Sequence, residues 1–422
     1  MTTPRTSTCG LDFGTSNSTL GIAGTGGPQL QPLEAGHLTI PSAIFFGAER
    51  HEAFLIGREA NAAYVDGAQG RLMRSLKSIL GSQLIDEKTQ IPRHRISFKD
   101  VITRYVAELK ARAERRVGQE ITRVVHGRPV HFVDNDHDAD RRAEQALAAI
   151  ARAAGFREVS FQYEPVAAAF DFERQTSREC LALIADIGGG TSDFTVVRLA
   201  GQRQGKADRS SDILASDGIR LGGTDFDCYL GMESFMPHFG YGSLQKRGDI
   251  ALPSAPFWDL CTWSSVHHLY ETKRLSELKS IRYSAQKPEL FNRLLKVVQG
   301  RLGHRVLLDV EHAKIVLSSE EVAASHLNWL EEGLNITSTR HRFENSTTRH
   351  FEKLRAVANA CVAAAGLRAN QIGALFFTGG TSLVPSVRRA IAMDFPSAEI
   401  IHGDQFGSVG LGLAIEAHRR YG

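Results

Sequence analysis

Apolar and polar positions follow the same pattern in two parts of this chain, one near the N-terminus and one near the middle. In the first part, an apolar run over residues 8–13 predicts a buried strand, and a second β-rich run follows at 19–23. In the other part, the runs 181–187 and 194–199 have the same arrangement. Each pair of runs predicts a β-hairpin, and the residues between the runs form its tip.

Both predicted tips are rich in glycine and also carry aspartate, threonine and serine. Glycine permits close backbone approach, so successive N–H groups can face phosphate oxygens, while aspartate and threonine oxygens suit a hydrated Mg²⁺. An ordinary tight hairpin would explain either tip alone. Two matching copies at domain spacing instead favour two facing lobes that hold one polyphosphate. The two segments are residues 10–17 and 185–193.

Two helices built from small residues are predicted far apart in the chain, one beginning at Glu164 and continuing to residue 169, the other at 407–414. Small side chains let helices approach closely, so we expect these two to cross, either as simple packing or as a shear hinge between the lobes. Other predicted strands are 40–46, 123–130 and 156–163, and other predicted helices are 102–117 and 139–154.

The length of 422 residues exceeds what one core usually supports. We expect a first lobe over residues 1–170 and a second over 171–422, with a helical insertion at about 228–310. The insertion is unusually aromatic for this chain, which favours a helical core, with a partner-binding surface as the alternative. Its aromatic residues include Phe235, Phe239, Tyr241, Phe257, Trp258 and Trp263.

Composition limits the classes of partner and the cellular compartment that we expect for this protein. No apolar run approaches the roughly 18 residues that span a bilayer, so a membrane is not expected. The net charge of +3 is small, and the locally basic run 93–128 has interleaved acids at helical spacing, as on a solvated helix face. Nucleic acid is therefore not an expected partner. The 5 cysteines are scattered without a C-x-x-C pair, which is typical of reduced thiols. With no apolar leader at the start, we expect a cytoplasmic protein.

Further motifs occur in order along the chain. They are residues 75–81 around a lysine, the Glu-Pro segment 164–170, and the segments 222–227, 311–319, 342–344 and 377–385. Together with the two tips, these motifs resemble the ATPase domain of the DnaK-type heat-shock chaperones, within the actin and sugar-kinase superfamily, and especially its short YegD-like members. The resemblance covers nearly the whole chain. It implies an α/β, actin-like ATPase fold with two lobes, each a mixed β-sheet flanked by helices, plus a helical insertion subdomain.

The resemblance also implies an ATP-hydrolysing site between the lobes. Asp12, Asp186 and Asp193 would hold Mg²⁺ through water. Lys77 would neutralise γ-phosphate oxygens and orient the attacking water, because phosphoryl transfer depends on charge neutralisation and positioning. Glu164 would position that water or accept its proton. The implied catalytic set is Lys77, Glu164, Asp12, Asp186 and Thr191.

For the nucleoside, Glu311, Lys314 and Ser318 share one helix face and would bond ribose and base. Two arginines that sandwich adenine in chaperone relatives are Ile315 and Leu383 here. This departure implies an apolar sandwich without cation–π attraction and a loss of roughly 1–3 kcal/mol in binding. The implied contacts to ATP or ADP are Gly14, Thr15, Ser16, Asn17, Gly188, Gly189, Gly190, Thr191, Gly222, Gly223, Glu311, Lys314, Ile315, Ser318, Gly379, Gly380, Thr381, Leu383 and Asp404.

The function implied is a slow, Mg²⁺-dependent ATPase that acts as a nucleotide switch for an unidentified client or partner protein. Little chain follows the last predicted helix, so we expect no peptide-binding domain of the family type. Three alternatives on the same fold stay open: a small-molecule kinase, an actin-like filament protein, and a nucleotide-binding module without turnover. A kinase would need an additional carboxylate base beside its acceptor, and a filament would show nucleotide-dependent light scattering.

Overall fold

Strands and helices alternate along the chain. The computed structural model describes residues 7–24, 27–48, 54–92, 94–133, 136–175, 179–200, 209–263, 265–401 and 407–422. Within these ranges, no helix is both long enough and apolar enough to cross a membrane. The strands are β1 (Ser7–Phe13), β2 (Asn17–Gly24), β3 (Gly27–Leu30), β4 (Ile40–Pro41), β5 (Ala43–Gly47), β6 (Phe54–Ile56), β7 (Gly70–Arg74), β8 (Lys88–Gln90), β9 (Arg95–Ser97), β10 (Ile121–Arg128), β11 (Glu158–Tyr163), β12 (Cys180–Ile187), β13 (Ser192–Leu199), β14 (Ile213–Ile219), β15 (Val322–His326), β16 (Asn335–Thr339), β17 (Ala374–Thr378) and β18 (Glu399–Ile401). The helices are α1 (Gly57–Val65), α2 (Phe98–Val117), α3 (His137–Ala153), α4 (Glu164–Ala168), α5 (Phe170–Gln175), α6 (Gly223–Leu230), α7 (Ala255–Cys261), α8 (Thr272–Ser284), α9 (Pro288–Gln299), α10 (Gly303–Ser319), α11 (Arg340–Ala364), α12 (Pro385–Ala392) and α13 (Ser408–Tyr421).

Two β-sheets with the same strand order form the centres of two lobes. Starting from the antiparallel edge of each sheet, the first has the order β3-β2-β1-β10-β11, and the second has the order β14-β13-β12-β17-β18. In both sheets a central hairpin is extended by a third antiparallel strand on one side and by two parallel strands on the other. The two hairpins therefore occupy equivalent places, as the repeated sequence pattern predicts.

Helix α2 shows how the sequence produces these elements. Its N-cap is Ser97, whose side chain accepts a hydrogen bond from the backbone N–H of Asp100, and it ends at Gly118 in a left-handed conformation. Its apolar residues recur at helical spacing and are buried, so this face packs against the core of the first lobe. The buried residues are Val101, Ile102, Tyr105, Val106, Leu109, Lys110 and Ala113.

The two small-residue helices do cross. A Cβ atom added at Gly412 of α13 would lie 1.9 Å from the backbone oxygen of Ala167 in α4, so the two backbones are in contact there. Helix α13 also lies on β1, because a Cβ at Gly10 would be 2.2 Å from the backbone nitrogen of Ala414. The crossing predicted from the small residues is confirmed, and hinge motion at the crossing stays a prediction.

The helical segment between α6 and α10 packs into the same hydrophobic core as the sheet of the second lobe. Phe235, Phe239 and Phe257 are fully buried, which confirms that these aromatic residues fill a core. Trp258 differs, because 37% of it is exposed. Several short strands were not predicted. They are β6 and β7, which pair with β5, and the strands of the two-stranded sheets β8–β9 and β15–β16, all from runs too short to give a clear period.

Candidate functional site

The tips of the two hairpins meet at the cleft between the lobes. A Cβ added at Gly189 in the second tip would lie 2.0 Å from the hydroxyl oxygen of Ser16 in the first, so the two tips are in close contact there. The turn before α6 closes on the same place, because a Cβ at Gly222 would be 2.7 Å from the backbone nitrogen of Gly190. Residues from three separate segments thus meet at one place, and phosphate binding there stays a prediction.

Lys77 and Glu164 form an ion pair inside this cleft. The Lys77 ammonium donates a hydrogen bond to Glu164 Oε1 at 2.6 Å, across 87 positions of sequence. Both side chains are largely buried. Burial disfavours the charge on Lys77, but Glu164 and Asp12 more than offset this effect, and the pKa of Lys77 is raised. The lysine therefore carries its charge at neutral pH.

Three aspartates face the same charges. Burial, with the nearby charge of Glu164, raises the pKa of Asp12 to about 8. Burial and the charge of Asp186 raise the pKa of Asp193 to about 7. Burial and Glu164 raise the pKa of Asp186 to about 6. Burial is the largest cause of all three shifts, and repulsion between neighbouring carboxylates adds to it.

Such a cluster fits a divalent cation, because added positive charge would favour the ionised carboxylates against both burial and their mutual repulsion. Asp12, Asp186 and Asp193 are the side chains available to it. Among the described residues, however, no three carboxylate, imidazole or thiol side chains lie close enough together to ligate an ion directly. A cation held here would accordingly need water molecules between it and some of the carboxylates.

Threonine hydroxyls bond to two of these aspartates. The Thr191 hydroxyl donates to Asp193 Oδ2 at 3.1 Å, and Thr378 hydrogen-bonds Asp186 and opposes the rise of its pKa. In the first tip, Thr15, Ser16 and Asn17 are half-buried beside Gly14, and Asn17 begins β2. Thr191, which the sequence assigned to phosphate, is therefore bonded to a carboxylate in the structure.

The third glycine motif lies against the carboxylate cluster. Gly379 has a φ of +77°, and a Cβ there would lie 2.7 Å from Asp186 Oδ1. A 3₁₀ turn follows, Gly380–Leu383, in which Thr381 is buried and Leu383 is half-buried. Asp404, also expected to contact the nucleotide, lies outside the described residues.

Helix α10 carries the residues expected at the nucleoside, and Lys314 among them is already engaged by the protein. Its ammonium lies 2.7 Å from Asp227 Oδ1 and donates to the backbone oxygen of Gly223 at 3.1 Å. Asp227 is 2% exposed, and burial raises its pKa to about 6 even though Lys314 opposes the shift. Lys314 thus ties α10 to the start of α6, which spacing along one helix could not indicate.

The other α10 residues expected at the nucleoside have different surroundings. Glu311 pairs with Arg74 of the first lobe at 3.4 Å. The Ser318 hydroxyl donates to the backbone oxygen of Lys314 at 3.2 Å. Ile315 is 58% exposed, so its side chain is accessible to a planar base.

A second set of contacts joins the lobes at the same opening. The Tyr64 hydroxyl and His304 Nδ1 are 2.7 Å apart in a hydrogen bond, and their rings meet edge to face at 4.9 Å. The Arg74 guanidinium lies 4.3 Å from the ring centroid of Trp263. Burial and Arg74 lower the pKa of His304 to about 4, so this histidine is neutral at physiological pH. These contacts hold the first lobe against the helical segment of the second.

Sequence reasoning missed several residues of this site. Asp227 lies within a motif recognised from the sequence, but no role was predicted for it. A carboxylate among apolar helix residues was the signal that could have indicated a buried ion pair. Arg74 and Tyr64 carried no such signal, because their partners come from the other lobe. Ser42 separates β4 from β5, although a single strand over 40–46 was predicted, and its hydroxyl is turned to the first tip.

The chain matches the model of a known protein family. The model of the family described as Hsp70 protein matches residues 94–242 and 297–419, which is more than half of the chain. The matched segments include Glu164, the second tip and α10. With the two sheets of like topology, the match confirms the actin-like ATPase fold expected from the sequence.

Proposed function

The chain belongs to the Hsp70 family, a family of ATP-binding, chaperone-type ATPases, and from this premise we propose that it binds ATP with Mg²⁺ in the cleft and hydrolyses it slowly. Lobe closure around the nucleotide would change the affinity for a separate client or partner protein. The observation that supports the proposal most strongly is the convergence of Asp12, Glu164, Asp186 and Asp193 on Lys77 where the two glycine tips meet. Kinship with the short YegD-like members is part of the proposal and rests on the motif residues alone.

The charges present suit γ-phosphate hydrolysis. The phosphoryl transition state spreads negative charge over peripheral oxygens and needs positive groups around it. Among the described residues, Lys77 donates one hydrogen bond, to Glu164, which leaves two N–H donors to face a γ-phosphate oxygen. Bound at the aspartates, Mg²⁺ would supply Lewis-acid neutralisation of the phosphate oxygens.

Glu164 is placed to act on water. One carboxylate oxygen accepts from Lys77, and the other remains to accept a hydrogen bond from the attacking water. Glu164 begins α4, whose first turn places Pro165 just after it, so a rigid backbone fixes the carboxylate. We assign to Glu164 the roles of orienting the attacking water and accepting its proton. We assign to Lys77 the role of neutralising the γ-phosphate oxygens.

The test uses two buried, ion-paired lysines of the first lobe. Lys77→Ala should reduce ATP turnover at least a hundredfold, because it removes a contact to the γ-phosphate. ADP lacks that phosphate, so its affinity should change by less than about threefold. Lys110→Ala is the matched control, since Lys110 is buried and pairs with Glu114 at 2.7 Å on α2. It should leave turnover intact.

Phosphate release and calorimetric ADP titration provide the two readouts. Equal loss of turnover and of ADP binding in Lys77→Ala would make the lysine a structural residue and would contradict the assignment. Normal turnover in Lys77→Ala would mean that ATP is not hydrolysed in this cleft.

A further inference from the structure

The backbone oxygens of the second tip are held from outside the hairpin. The Thr381 hydroxyl donates to Gly188 O at 2.9 Å, and the backbone N–H of Gly223 donates to the same oxygen at 2.9 Å. The Thr224 hydroxyl donates to Gly189 O at 2.8 Å, and the Thr224 N–H donates to it at 2.7 Å. Two consecutive carbonyl groups are each fixed by one side-chain hydroxyl and one amide.

Fixing a carbonyl also fixes the next amide. The C=O and N–H of a trans peptide unit lie in one plane and point in opposite directions. With the Gly188 oxygen held toward Thr381, the N–H of Gly189 points the other way. With the Gly189 oxygen held toward Thr224, the N–H of Gly190 likewise points away from it.

The two released amides have no acceptor in the part of the chain that the structure describes. Across the described ranges, neither the Gly189 nor the Gly190 N–H donates a hydrogen bond to the protein. A Cβ added at Gly190 would meet no atom within 4 Å, so the space beside it is open. Gly189 faces the first tip through Ser16. Both amides are thus available on the cleft side of the hairpin.

Backbone carbonyl groups of the first tip are also held from outside the hairpin. The Ser42 hydroxyl donates to Gly14 O at 2.7 Å, and the Ser42 N–H donates to Ser16 O at 2.8 Å. By the same planarity, the N–H of Thr15 points away from Ser42. Ser42 comes from the break between β4 and β5, and Thr224 and Thr381 come from two different segments, so the sequence pattern of the hairpins does not reveal these partners.

We propose that Thr224 and Thr381, with Ser42 in the first lobe, are positioning residues that lock the peptide planes of both tips so that the N–H groups of Gly189, Gly190 and Thr15 face the phosphates. This inference rests on the proposed function. Glycine peptide planes rotate readily, and a rotated plane would present a carbonyl oxygen to a phosphate oxygen instead of a donor. The three hydroxyls act through the backbone and need not touch the nucleotide.

Valine substitutions test the second tip, because valine keeps the shape of threonine and removes the hydroxyl. Thr224→Val and Thr381→Val should each weaken ADP binding by about threefold to tenfold, as expected for one lost hydrogen bond. Adenosine binding should stay unchanged in Thr224→Val, because Thr224 is not among the residues expected to contact the nucleotide. Thr224→Ser and Thr381→Ser keep the hydroxyl and should restore ADP affinity. Thr347→Val is the matched control, since the buried Thr347 hydroxyl donates to Phe343 O at 2.7 Å in α11, and ADP affinity should not change.

A second measurement needs no nucleotide. In protein labelled with ¹⁵N-glycine, the amide signals of Gly189 and Gly190 should shift or broaden in both valine variants and stay in place in the serine variants. Valine variants with wild-type ADP affinity and unmoved signals would overturn the inference, as would equal loss of ADP and adenosine. If the wild-type protein bound no ADP, the proposed function would fail. The amide signals of Gly189 and Gly190 would then still show whether the hydroxyls fix the peptide planes.

Discussion

Asp12→Asn should stabilise the nucleotide-free protein at neutral pH while it abolishes turnover. The pKa of Asp12 is raised from 3.8 to about 8 in the folded protein, mainly by burial and by Glu164. A raised folded pKa gives stability that is full below about pH 4 and is lost as the pH rises toward 8. Asparagine does not ionise and keeps the shape of the protonated carboxyl, so the variant escapes this loss.

The magnitude follows from proton linkage. One proton retained by the folded state and absent from the unfolded state changes stability by about 1.4 kcal/mol per pH unit. From pH 5 to 7 this gives at most about 3 kcal/mol for Asp12. Since Asp186 and Asp193 share the same repulsion, we expect the wild type to lose about 1–3 kcal/mol relative to Asp12→Asn over this interval.

Urea unfolding at pH 5, 6, 7 and 8 in the presence of a chelator measures this difference. Asp394→Asn is a suitable control, because hydrogen bonds from Arg355 lower the pKa of Asp394, so its difference from wild type should be flat over this range. A difference between wild type and Asp12→Asn that does not grow with pH, or a less stable variant at pH 8, would refute the reasoning. It would mean that Asp12 is not held in a repulsive, desolvated cluster.

Three further predictions concern the nucleoside contacts, the lobe contacts and the helix crossing. Ile315→Arg should strengthen ADP binding by up to about tenfold through a cation–π contact with the base, as measured by calorimetry. Sub-micromolar ATP binding by the wild type would contradict the apolar sandwich that Ile315 forms with Leu383. Tyr64→Phe removes the hydrogen bond to His304 and keeps the ring, so release of fluorescent ADP in stopped-flow should become about threefold to tenfold faster, and an unchanged rate would exclude these contacts from exit control. Gly412→Ala places a Cβ against backbone and should lower the free energy of unfolding by about 1–3 kcal/mol in urea titration, so wild-type stability would argue against the close crossing of α13 and α4.

The sequence predicted the parts of the fold that depend on local pattern. Continuous apolar runs located β1 and β12, because buried central strands leave few polar positions. The glycine and aspartate tips could be recognised because they occur twice. The small-residue helices predicted their own crossing, since close approach requires side chains such as those of Gly412 and Ala167.

Contacts between distant segments could not be predicted in this way. Lys314 was expected to be free for the nucleoside, but Asp227 and Gly223 engage it because α6 packs beside α10. Arg74 bonds Glu311 only because the lobes close on each other. These partners depend on how elements pack, and no periodicity along one element encodes that arrangement.

The measurement that tests the central claim most directly is a single-turnover incubation with γ-labelled ATP and Mg²⁺, alone and with a cell extract. We expect labelled inorganic phosphate as the sole product, formed slowly by the wild type and absent with Asp12→Asn or Lys77→Ala. Label transferred to a small molecule would contradict the account in favour of a kinase. No turnover at all would contradict it in favour of a nucleotide-binding module without hydrolysis.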